Sequence, residues 1–156
     1  MKNVKRFLLS LLFIVCIFSL TGCKNKTSLK SNEFKSRMEA KNFIVYDATN
    51  QMQSNNYIDK IYVAVQKDSN YQIEYYELKN EDNAISFYNN NKKLFQSSKG
   101  SKSEEKSKSV NNYSKYTLET NDSYKVISRI DNTAIYINAD IKYKKDIESV
   151  LKGIGY

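Results

Sequence analysis

The chain has 156 residues, a formal net charge of +8, a pI near 9.3 and 13% aromatic residues, all of them Tyr or Phe. That length suits one domain, and so much aromatic surface excludes a disordered chain. The absence of His excludes a Ser-His-Asp triad, a Cys-His pair and a His-ligated metal site.

The chain opens with a basic stretch carrying Lys2, Lys5 and Arg6, followed by the apolar run FLLSLLFIVCIFSL at residues 7–20. That run fits the apolar region of a signal peptide and is short for a membrane span. Leu20, Thr21, Gly22 and Cys23 follow directly. An aliphatic residue, two small residues and a Cys in this order resemble the lipobox of bacterial lipoproteins. The resemblance covers residues 1–23 only. It implies cleavage after Gly22, acylation of Cys23 and a lipid anchor at the extracytoplasmic face of a bacterial cell membrane. Cys16 would then leave with the leader. Removing 22 of the 156 residues leaves 134, and losing Lys2, Lys5 and Arg6 lowers the formal charge from +8 to +5.

Residues 24–32 are polar and unpatterned, and residues 23–32 read as a lipidated tether. A short helix is expected around SNEFKSRMEAK, where Phe34 and Met38 form an i, i+4 apolar pair. Strands are expected at residues 42–49, 58–66 and 71–78, the last two as a hairpin. The stretch NEDNAISFYNNNKKLF changes to a helical period, with Glu81 and Asp82 at its start. Residues 97–112 contain almost no apolar side chain and read as a mobile loop. Strands at 113–120, 124–130 and 133–141 follow, separated by ND and DN breaks that suit antiparallel hairpins. Ile147, Val150, Leu151 and Ile154 recur at helical spacing in the last segment, with Gly155 at its end.

The pattern predicts a single α+β domain over residues 33–156. Its architecture is a two-layer sandwich: an antiparallel sheet of about six strands with the helices on one face, and a βββα order repeated twice. If one face of the sheet is open, alternation assigns it Tyr62, Tyr76, Tyr136 and Arg129, a surface suited to stacking and to pairing with carboxylates. Strand propensity alone also places Tyr there.

Few residues point to catalysis. The carboxylates are scattered, no regular calcium loop occurs, and the four glycines form no phosphate-binding loop. No metal and no cofactor is expected. Nucleic acid is not an expected partner of an exported chain. The composition and leader together predict a non-enzymatic surface lipoprotein, held in the membrane by its lipid and binding an envelope component, protein or glycan. The alternative is an inhibitor or immunity-type lipoprotein acting on an extracellular enzyme. A hydrolase working with carboxylates alone fits less well.

Overall fold

The computed structural model describes residues 25–52, 56–67 and 71–156. The predicted cleavage and lipidation positions, Gly22 and Cys23, lie outside these residues. Among them are helix α1 (Ser31–Glu39), strands β1 (Phe43–Asp47), β2 (Ile58–Gln66) and β3 (Gln72–Leu78), and helix α2 (Glu81–Ser97). Strands β4 (Glu104–Val110), β5 (Tyr113–Glu119), β6 (Ser123–Ile130) and β7 (Thr133–Asp140) follow, and helix α3 (Lys144–Ile154) closes the chain. The seven strands form one sheet in the order β1-β2-β3-β7-β6-β5-β4, every pair antiparallel.

The α+β class and the antiparallel sheet are as the sequence predicts. The layering differs: the helices cover both faces, not one. On one face, α1 and α3 contribute Phe34, Met38, Ile147 and Leu151 to a core with Ile73, Tyr75, Val126, Ile135 and Ile137. On the other face, α2 lays Ala84 against Tyr76 and Ala134, and Tyr88 and Phe95 against Tyr116, Leu118 and Ile127. The cause is visible in β6 and β7, whose apolar runs bury consecutive residues such as Val126–Ile127 and Ala134–Ile135. A strand buried on both faces needs cover on both.

The repeat holds for strand order alone. A two-fold axis normal to the sheet between β3 and β7 would exchange β1, β2 and β3 with β5, β6 and β7. The same axis would set α2 and α3 on one face, and they occupy opposite faces.

The stretch expected to be a mobile loop is largely sheet. Residues 104–110 form β4, paired along their length with β5. Two-residue turns close β4–β5 at Asn111-Asn112 and β6–β7 at Asp131-Asn132. Each needs a left-handed first residue, and Asn111 (φ 51°) and Asp131 (φ 50°) supply one at less cost than most side chains.

The stretch expected to be a tether is in part docked. The Lys26 amide donates to Asn112 Oδ1 at 3.0 Å, and Asn112 Nδ2 donates to the Lys26 carbonyl at 2.7 Å. Leu29 is buried, and its carbonyl accepts from the Tyr75 hydroxyl at 2.7 Å. The strap therefore runs from the β4–β5 turn to β3 before α1 begins. Phe34 then stacks on the Tyr75 ring, with centroids 4.7 Å apart.

Candidate binding surface

Tyr76, Arg129 and Tyr136 share one face of the sheet, as predicted, but that face lies under α2. Tyr76 is 6% exposed, packs its ring 4.5 Å from Phe87 of α2 and donates its hydroxyl to Glu74 at 2.5 Å. Burial, then the bond to Glu74, raises its pKa well above the ordinary tyrosine value. Arg129 is 7% exposed; its guanidinium reaches Glu81 Oε1 in the first turn of α2 at 3.0 Å. The Tyr136 ring lies 5.3 Å from Phe95.

Tyr62 lies on the opposite face. Alternation along one strand is legible, but the match between strands depends on register. Tyr62 stands opposite Tyr75, and Ala64 opposite Ile73, so Tyr62 joins the α1 side and is 7% exposed. The four predicted residues therefore form no open platform.

The open part of the α2 face lies beyond the reach of that helix, on β1 and β2. Ile44 and Tyr46 point outward there, 41% and 54% exposed. Tyr46 pairs across the ladder with Val63, and Ile44 with Val65. Beside them is a hollow of about 290 Å³ lined by Ala48, Gln51, Ile61, Val63, Gln72 and Glu74, with Tyr76 at its floor. Glu74 accepts from Gln72 Nε2 at 2.8 Å as well as from Tyr76, and no Lys or Arg pairs with it among the described residues. The surface combines apolar side chains, a carboxylate and an amide within one shallow depression.

Local bonds hold its rim. Asp47 Oδ1 accepts from the Thr49 amide at 3.0 Å and the Thr49 hydroxyl at 2.6 Å, and Asp47 Oδ2 accepts from Lys60 Nζ at 2.8 Å. The Lys60 bond, then the Thr49 bonds, hold the Asp47 carboxyl down at about 2. The Thr49 hydroxyl in turn accepts the Ile61 amide at 3.1 Å, tying the 3-10 turn at Thr49–Met52 to β2.

This surface was only partly legible. The sequence marks residues 42–49 as apolar, but not that β1 is an edge strand with one face uncovered. Among the described residues no group of three His, Cys, Asp or Glu side chains is placed to hold a metal ion. No helix among them is long and apolar enough to cross a membrane. Comparison with protein families, with curated proteins and with solved structures finds no match to this chain.

Proposed function

We propose that the chain is an extracytoplasmic lipoprotein, anchored by an acylated Cys23, whose α+β domain binds an envelope component, protein or glycan, without catalysing a reaction. The anchor rests on the basic stretch, the apolar run and Leu20-Thr21-Gly22-Cys23 in that order. The binding role rests on one observation: Ile44 and Tyr46 stand exposed beside the hollow that holds Gln72 and Glu74. Exposed apolar side chains rimmed by polar groups mark interaction sites more often than isolated apolar residues do.

A protruding 97–112 segment would favour the inhibitor reading. Residues 104–110 instead lie in the sheet, so the binding-module reading is preferred.

A photo-crosslinker placed at position 46 of the full-length protein, activated in intact cells, tests the binding role. The reading requires an adduct at position 46 that is absent when the crosslinker sits at Lys106 on the far edge strand. Equal adducts at both positions, or none at position 46, would refute it.

A further inference from the structure

Three lysines crowd together where the N-terminal strap meets the sheet. Lys108 and Lys115 stand directly opposite each other on β4 and β5, and therefore on the same face. Like charges in that position repel. The Lys26 ammonium lies 3.9 Å from the centroid of the Tyr113 ring and donates to the Gly155 carbonyl at 2.8 Å. Burial, then Lys108, lowers the Lys26 pKa; burial, then Lys26, lowers that of Lys115. Tyr113 lies two positions from Lys115 on β5, on the same face, so the Lys26 ammonium sits beside the Lys108–Lys115 pair.

The neighbouring carboxylates form no ion pair with these lysines among the described residues. Glu148 of α3 acts on Lys115 and accepts the Tyr124 hydroxyl at 3.1 Å. Asp131 Oδ1 accepts from Asn112 Nδ2 at 2.8 Å.

We infer that Lys26, Lys108 and Lys115 form a seat for anionic phospholipid headgroups, which holds the β4–β5 end of the domain against the membrane. The inference rests on the Cys23 anchor. Only Lys24 and Asn25 separate Cys23 from Lys26, so their Cα atoms are at most about 11 Å apart, three steps at full extension. The seat therefore lies within or beside the headgroup layer whenever Cys23 is acylated. Lysines held at an anionic surface are attracted to it, and salt screens that attraction. The placement also turns the hollow by β1 away from the bilayer. β1 and β5 are five strand positions apart in the sheet, about 24 Å at the usual spacing.

Full-length protein made in a bacterial host and reconstituted into vesicles tests the seat. Vesicles of phosphatidylcholine alone are compared with vesicles of phosphatidylcholine mixed with phosphatidylglycerol. Amine acetylation of each lysine is read by mass spectrometry, and the mass on Cys23 is read in the same sample. In the anionic vesicles Lys108 labelling is expected to fall about fivefold. Lys93 on α2, across the sheet, is expected to stay unchanged, and added salt to restore Lys108. Equal Lys108 labelling in both vesicles, with an acyl mass present on Cys23, would overturn the seat and leave the anchor standing. No acyl mass on Cys23 would overturn both. The variant Lys115→Gln with an unaltered unfolding midpoint is expected to weaken the protection of Lys108, and full protection in that variant would count against a shared seat.

Discussion

At the residue scale, a few side chains carry long-range connections. The Tyr75 hydroxyl reaches 46 positions back to the Leu29 carbonyl in a buried setting. Tyr75→Phe leaves that carbonyl without its donor, at a cost of about 1–3 kcal/mol. Denaturant unfolding is expected to show this loss, and proteolysis to cut the strap before α1 faster than in the parent. Gly155 ends α3 at φ 96°, with its amide on the Leu151 carbonyl at 3.0 Å. A Cβ there would meet no neighbouring atom, so Gly155→Ala tests backbone strain alone and should cost about 1–2 kcal/mol. Asp47 tests the rim of the hollow. Folding lowers its pKa to about 2, so its contribution is complete above the unfolded value of about 3.9 and is lost as pH falls toward the folded one. The pair with Lys60 is half exposed, which limits the effect to below about 1 kcal/mol. Asp47→Asn is expected to flatten the change in unfolding midpoint across that acid window and to leave the midpoint's slope at neutral pH unchanged.

At the element scale, the position of α2 separates this fold from the two-layer arrangement that the sequence suggests. Ile127 is fully buried between β6 and α2, with Tyr88, Phe95, Tyr116 and Leu118 around it. Ile127→Ala should therefore cost about 2–5 kcal/mol in a denaturant titration. A cost under about 1 kcal/mol would fit a surface strand and contradict the placement of α2. The strands and helices with one covered face were legible. The apolar run at residues 61–65 marks β2 as a strand, with Tyr62 and Ala64 buried on one face and Ile61 on the other, and Ile147, Val150, Leu151 and Ile154 trace the single buried stripe of α3. β4 was not legible. Its sequence EEKSKSV pairs only on one edge and is solvated on both faces, so hydropathy has nothing to alternate. Its charged residues, Glu104, Glu105, Lys106 and Lys108, also guard an open edge against pairing with another chain, as charged edge strands do. The missed open surface has the same origin. Which face of β1 is bare depends on where α2 ends, and no local pattern in residues 42–49 encodes that.

At the scale of the whole molecule, the sheet forms a gradient. β3, β6 and β7 lie between helices on both faces, whereas β1 and β4 are edges. Hydrogen exchange is expected to be slowest at Val126 and Ile135 and fastest, among strands, in β4. Protection of β4 equal to that of β6 would contradict this gradient. The molecule also has two distinct ends. The strap and the lysine cluster mark the β4–β5 end, and the hollow beside Ile44 and Tyr46 marks the other. A domain fixed at one end and open at the other suits a protein held at a surface to meet a second component, and that reading depends on the acylated cysteine. The direct measurement is the intact mass of the protein extracted from its own membrane, beside that of Cys23→Ser. The expected parent chain begins at Cys23 and carries acyl groups, and the variant keeps its leader and gains no lipid mass. A parent chain of unmodified mass that still begins at Met1 would contradict that reading.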